Sequence, residues 1–273
     1  MSLEQIIVLA LIEGIAEFLP ISSSGHLILL PALTGWPDQG VVTDMVTILG
    51  TVFATIIFFW RDVVAQFRGL WDIANKRQSA DATLASNIII GTIPILLAGV
   101  VFKFSGLSDS VRSPQLIAIT SIIFGTLLYL GDHYGLMRHT LRQINWRSAL
   151  IIGLAQILAL IPGSSRSGVT MTTARSLGFA RADAARFSFL LSIPANAASA
   201  LFVIGGAVKA GVHISGGVIL TGVLAFFIGL GAITFLMRLL RTQSFLLFAI
   251  YRVVLGAVLL GLIYSGIKFG GVN

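Results

Sequence analysis

Glu13 and Glu17 stand four residues apart, so any helix containing them puts both on one face. Two carboxylates so placed in a low dielectric repel, and they need a shared proton or a cation between them. With only oxygen donors, that cation would be Mg2+ or Ca2+. Downstream, the run Pro20-Ile-Ser-Ser-Ser-Gly-His26 offers hydroxyls, a flexible glycine and an imidazole. Ser23 and His26 are close enough for a proton to pass between them if a helix begins at the serines. The backbone amides of that helix start would favour an anion. The plainer reading makes Ser22, Ser23 and Ser24 helix caps and His26 an interfacial polar tip. A second run, Pro162-Gly-Ser-Ser-Arg-Ser-Gly168, sets Arg166 among three hydroxyls and two glycines. Arginine is the side chain best shaped for bidentate recognition of phosphate. Arg252 is a further cation within an apolar stretch; a carboxylate could pair with it, and the sequence leaves its partner open, whereas His133, His139 and His213 fall in expected loops.

The two runs are copies of one pattern. Glu13 to Leu27 aligns without a gap onto Gln156 to Thr170, matching Ala16 to Ala159, Ser22 to Ser165, Ser24 to Ser167 and Gly25 to Gly168. The chain around them is made for lipid. Of 273 residues, 56% are hydrophobic and 11% charged, with a mean hydropathy of +0.96, whereas soluble domains are about 25% charged. An ionisable group at membrane depth costs about 2.5–3.5 kcal/mol even on lenient scales, so Glu13, Glu17, His26 and Arg166 are functional candidates. The net charge of +7 comes from residues scattered over loops, with no basic helical stripe, which excludes nucleic acid as a partner. The chain has no cysteine and therefore no disulfide or thiolate chemistry. Its apolar start lacks a basic leader region and a small-residue cleavage site before Glu13, so no signal peptide is expected.

Six segments have the roughly 20 apolar residues that crossing a bilayer takes. They are Asp44–Trp60, Ser86–Phe104, Pro114–Leu130, Ala185–Ile204, Gly216–Met237 and Phe245–Ile267. Leu3–Leu33 and Ser148–Leu177 are apolar too, but Pro20 and Pro162 interrupt them, and each reads as two short helices in a re-entrant hairpin. The fold class is therefore all-α, a polytopic integral membrane protein. Twelve of the 18 basic residues fall on one side if the spans alternate: Arg61, Arg68, Lys76, Arg77, Arg138, Arg142, Arg147, Arg175, Arg181, Arg186, Arg238 and Arg241. Lys103, Arg112, Lys209 and Lys268 fall on the other. The positive-inside rule makes the first side cytoplasmic, so the first hairpin enters from outside and the second from the cytoplasm. Residues 1–134 and 135–273 are then expected to form an inverted repeat within one membrane domain.

Taken together, these residues resemble the undecaprenyl-diphosphate phosphatases of the bacitracin-resistance type. The resemblance rests on Glu13-x-x-x-Glu17, Phe18-Leu19-Pro20 leading into Ser22 to His26, and Pro162-Gly163-x-Ser165-Arg166-Ser167-Gly168-x-Thr170. Phe189-Leu190-Leu191 before Pro194 and Phe248-Ala249-Ile250-Tyr251-Arg252 extend it along the whole chain. It implies a bacterial inner-membrane enzyme, opening to the periplasm, that hydrolyses undecaprenyl diphosphate within the bilayer and recycles the lipid carrier of peptidoglycan synthesis. The implied nucleophile is Ser23 with His26 as its proton partner, or else His26 itself. Arg166 and a divalent cation held by Glu13 and Glu17 would meet the diphosphate charge. Ser22, Ser24, Gly25, Ser165, Ser167 and Thr170 complete the expected phosphate-binding set. The competing reading is an inverted-repeat transporter or lipid-phosphate flippase, with Glu13, Glu17 and His26 as a proton relay. The sequence leaves homo-oligomerisation open.

Overall fold

The computed structural model describes residues 1–106, 111 and 113–265. Eleven α-helices form among the described residues. In chain order they are α1 (Leu3–Ala16), α2 (Ser23–Thr34), α3 (Val41–Phe58), α4 (Trp60–Ala74), α5 (Ala80–Phe104) and α6 (Pro114–Tyr134). Then come α7 (Trp146–Gln156), α8 (Arg166–Ser176), α9 (Arg181–Lys209), α10 (Gly216–Leu239) and α11 (Leu246–Tyr264). Six of them, α3, α5, α6, α9, α10 and α11, are long and apolar enough to cross a membrane, and they coincide with the six expected segments. The last two residues expected of the final span, and the basic residues Arg112 and Lys268, lie outside the described residues.

Both interrupted regions break where proline was expected to break them. α1 ends at Ala16, before Pro20, and α7 gives way to a 3-10 turn over Ile157–Leu160, before Pro162. Proline alone does not decide this, because Pro31, Pro94 and Pro194 lie inside α2, α5 and α9. At the two breaks a serine follows that leaves helical geometry, and its hydroxyl oxygen accepts from an otherwise unpaired amide at the start of the new helix.

Polar residues are buried within an apolar core, and large apolar side chains also cover the outside. Asn87, Gln156, Thr170, Arg175 and Arg252 are buried, while Leu97, Val101, Phe202, Leu247 and Val254 are exposed. With lipid on the outside, helices gain by packing backbone against backbone through small residues. A Cβ on Gly50 of α3 would stand 2.1 Å from the carbonyl oxygen of Gly222 in α10, and one on Gly153 of α7 would stand 2.4 Å from that of Gly91 in α5.

The structure corrects the reading of several charges as loop residues. Arg61 and Arg68 belong to α4, whose Trp60, Val64, Phe67 and Trp71 recur at helical spacing and face outward. Arg186 of α9 pairs with Asp62 of α4. Arg175, fully buried in α8, donates from Nε to Asp132 Oδ1 at 2.8 Å, and Arg181 donates to the same oxygen at 2.7 Å. The backbone amide of Phe245 donates to Asp132 Oδ2 at 3.0 Å, so one carboxylate of α6 fastens α8, α9 and the start of α11. His133 lies in the last turn of α6, stacked on Tyr129, and not in a loop; it is exposed, as are His139 and His213.

Removing a partner from a buried ion pair leaves an uncompensated charge, which costs about 3–5 kcal/mol. Asp132→Ala is therefore expected to lower the thermal unfolding temperature in detergent sharply, whereas Asp62→Ala, whose partner Arg186 is 41% exposed, should have a much smaller effect.

Candidate active site

The two broken regions build the same turn twice. Among the described residues, Ser22, Lys76 and Ser165 are the non-glycine positions with positive φ, and the two serines have φ of 74° and 69°. Such a conformation costs about 1–3 kcal/mol and persists where its surroundings enforce it. Ser22 Oγ accepts from the amide of Gly25 at 3.3 Å, and Ser165 Oγ from that of Gly168 at 3.1 Å. Ser22 Oγ also pairs with Ser24 Oγ at 3.4 Å, and Ser165 Oγ with Ser167 Oγ at 3.2 Å. Ser23 and Arg166 thus hold equivalent places, each the first residue of its helix, α2 or α8.

Glu17, at the end of α1, joins them. Its Oε2 accepts from Ser23 Oγ at 3.1 Å, and its Oε1 accepts from Arg166 Nη2 at 2.8 Å and Asn196 Nδ2 at 2.7 Å. Arg166 also donates from Nη1 to the carbonyl of Ser188 at 3.2 Å. A cavity of about 210 Å3 lies between the two turns. Glu17, Ser22, Ser23 and Ser24 line one side, Ser165, Arg166 and Ser167 the other, and Asn196 and Ser199 of α9 a third. Two helix N-termini and an arginine give the cavity a positive character suited to an anion. Glu17 holds a hydroxyl and a guanidinium beside that anion, an arrangement fit for transfer of a phosphoryl group to the hydroxyl.

The description that matches residues 6–258 is that of the bacitracin resistance protein BacA. The chain belongs to the BacA family. A relative from Ruegeria pomeroyi named undecaprenyl-diphosphatase is 46% identical over 267 residues, covering 97% of this chain and all of the relative. A Stutzerimonas stutzeri protein named undecaprenyl-diphosphatase 2 is 44% identical over 276 residues, covering 98% and 100%. One from Erythrobacter litoralis named undecaprenyl-diphosphatase is 40% identical over 282 residues, covering 95% and 99%.

In this BacA-family chain, the structure brings together most of the residues expected of the site, but gives several of them other tasks. The expected partnership of Ser23 with His26 is replaced by the Ser23–Glu17 bond. His26 Nδ1 lies 2.7 Å from the carbonyl oxygen of Ser22, which can only accept, so Nδ1 carries the proton. In the neutral ring Nε2 then accepts from Tyr251 Oη at 2.6 Å. The imidazole stacks on the Tyr251 ring and does not line the cavity. Its bond to Ser22 secures a strained residue. Gly25 and Thr170 also stand back from the cavity: Gly25 supplies the amide that Ser22 caps, and Thr170 binds Ser188 Oγ at 2.6 Å. Glu13 is fully buried one turn before Glu17, and neither of its carboxylate oxygens has a hydrogen-bond partner.

Arg252, whose partner the sequence leaves open, is received by carbonyls and not by a carboxylate. Fully buried, it donates from Nη1 to Pro20 O at 3.3 Å and from Nη2 to Gly163 O and Ser164 O at 2.8 and 2.7 Å. One guanidinium therefore ties the first turn to the second. Thr120 of α6 assists by donating to Pro162 O at 2.8 Å. Sequence reasoning missed Asn196, Ser188 and Thr120, and named Tyr251 only within the stretch that carries the resemblance. Asn196 carried a signal, as an amide inside an apolar span two residues past Pro194.

Lysine in place of Arg252 keeps the charge but has one ammonium where the fork spans three carbonyls. Arg252→Lys is expected to speed amide hydrogen exchange about tenfold or more around residues 21–25 and 163–168, while exchange in α3 and α10 stays near wild type.

Proposed function

We propose that this chain hydrolyses undecaprenyl diphosphate to undecaprenyl phosphate and inorganic phosphate, with Ser23 as nucleophile and Glu17 as its proton acceptor. The observation that carries the assignment is Glu17 bonded at once to Ser23 Oγ and to Arg166. Ser23 Oγ attacks the terminal phosphorus as its proton passes to Glu17. The bond from that phosphorus to the bridging oxygen breaks, and undecaprenyl phosphate leaves. Water then attacks the phosphorus and its bond to Ser23 Oγ breaks; Glu17 returns its proton to Oγ, and both hydrogens of the water leave on inorganic phosphate. Arg166 spans the oxygens on which charge gathers. Asn196 and Ser188 hold Glu17 and Arg166 in register.

Glu13 and Glu17 are the residues that would hold a divalent cation, Mg2+ or Ca2+. The fit rests on the two partnerless, buried oxygens of Glu13 beneath Glu17. No cluster of three or more acidic, histidine or cysteine ligands forms among the described residues. Two carboxylates completed by phosphate oxygens are nonetheless a usual Mg2+ arrangement. When bound, such a cation would offset part of the diphosphate charge. A transporter's proton relay needs no hydroxyl on Glu17, and His26, its third member, is turned away to Tyr251.

The same reading places the chain in the bacterial inner membrane with the cavity open to the periplasm. With Arg175, Arg181 and Arg186 set aside as ion-paired, the remaining basic residues of the cytoplasmic side still outweigh Lys103 and Lys209 opposite. The pairs α1–α2 and α7–α8, of 11 to 14 residues per helix, are too short to cross singly and serve as re-entrant hairpins. Helix pairing supports the inverted repeat of 1–134 and 135–273: α1 packs on α10 as α7 packs on α5, and α3 meets α9 as α6 meets α11.

Purified protein in detergent should release phosphate from undecaprenyl diphosphate, and EDTA should stop it. Ser23→Ala is expected to lower kcat by about a thousandfold or more while substrate still binds. Arg166→Lys should lose most activity, and His26→Ala should lose less than Ser23→Ala. Near-normal chemistry in Ser23→Ala with none in His26→Ala would move the nucleophile to His26. Full turnover in EDTA would end the cation assignment. For orientation, an impermeant thiol reagent on intact spheroplasts should label Gly211→Cys and spare Lys76→Cys; the reverse pattern would invert the topology.

A further inference from the structure

The offset that lays Ser22 on Ser165 also lays Glu13 on Gln156. The correspondence extends beyond the alignment. Both side chains are 0% exposed, and the polar ends of both, Glu13 Oε1 and Oε2 and Gln156 Oε1 and Nε2, lack hydrogen-bond partners. Glu13 sits one turn before Ala16 and Glu17, and Gln156 one turn before Ala159 and Leu160; all four of those residues line the cavity. Residues three and four apart share a helix face, and in the 3-10 turn that follows Gln156 those three apart eclipse. Each half of the site therefore has a buried polar group one turn behind the cavity lining; the Ser23 hydroxyl lies close to Glu13, whereas Gln156 has no hydrogen-bond partner within the protein.

Such a group is unfavourable unless something arrives to meet it. The two halves differ in charge. Glu13 as an anion repels a diphosphate and can face one only through a cation. Gln156 is neutral and has an amide donor that can meet a phosphoryl oxygen directly. We infer that Gln156 is a substrate-binding residue, donating from Nε2 to a diphosphate oxygen on the side of the cavity opposite Glu13. This rests on the diphosphatase reading above and extends it: one half recognises the anion through a cation, the other through hydrogen bonds.

Gln156→Leu keeps the side chain's bulk and removes its unmet polar atoms. Its unfolding temperature in detergent is expected to equal or exceed wild type, while kcat/KM for undecaprenyl diphosphate falls about 10- to 100-fold, mainly through KM. Inorganic diphosphate should raise the unfolding temperature of wild type and raise that of Gln156→Leu less. Gln156→Glu, which adds an anion, should lose more activity than the leucine variant. Wild-type kinetics in Gln156→Leu would overturn the inference. So would a lower unfolding temperature with unchanged KM, or failure of both Gln156→Leu and Gln156→Met to fold, because each marks a group satisfied within the fold. A wild-type protein that does not hydrolyse undecaprenyl diphosphate ends the diphosphatase reading separately; the diphosphate-induced temperature shift then still decides whether Gln156 binds the anion.

Discussion

The guanidinium of Arg252 is the point on which this architecture turns. A helix broken at membrane depth strands its carbonyls, and hydrocarbon has nothing to offer them. The turns at Pro20 and at Gly163–Ser164 both aim carbonyls inward, and a single cation answers all three. A buried charge without partners would be ruinous, and so would three buried carbonyls; the three bonds from Nη1 and Nη2 offset much of both costs, although Nε has no partner. The clamp also fixes distance. Because both turns are held by one rigid planar group, Ser23 and Arg166 come to face the same carboxylate.

The site itself is a set of shared obligations. Glu17 takes the Ser23 hydroxyl on one oxygen, and Arg166 and Asn196 on the other. Its charge is balanced before any substrate arrives, while its second oxygen stays positioned to accept a proton. The strain at Ser22 and Ser165 is held by caps, by the His26 bond to the Ser22 carbonyl, and by Arg252 behind both turns. Pre-organisation of this kind suits phosphoryl transfer, in which positioning and charge account for most of the catalysis.

At the other end of the bundle, the same economy is structural. Asp132 neutralises the buried Arg175, is shared with Arg181, and accepts the amide that begins α11. Since α11 carries Tyr251 and Arg252, this carboxylate anchors the helix that holds both serine turns.

The sequence by itself determined the class of the protein and marked the polar residues that gather at the candidate site. Six apolar runs, two proline-broken regions and the repeated Ser/Gly pattern were legible because hydrophobicity, proline and glycine act locally. Glu17, Ser23 and Arg166 could be picked out because polar groups in apolar surroundings are conspicuous. Partnership was not legible. That Ser23 bonds Glu17 and not His26, three residues away, depends on the positive φ of Ser22, which turns the helix start. That Arg252 seeks carbonyls depends on where two turns far apart in the chain leave their oxygens. Asn196 and Ser188 reach the site only because α9 passes beside both turns. Which residues were polar in lipid was written along the chain; which of them satisfy one another was decided by tertiary packing, because a hydrogen bond in hydrocarbon is set by distance in space and not by spacing in sequence.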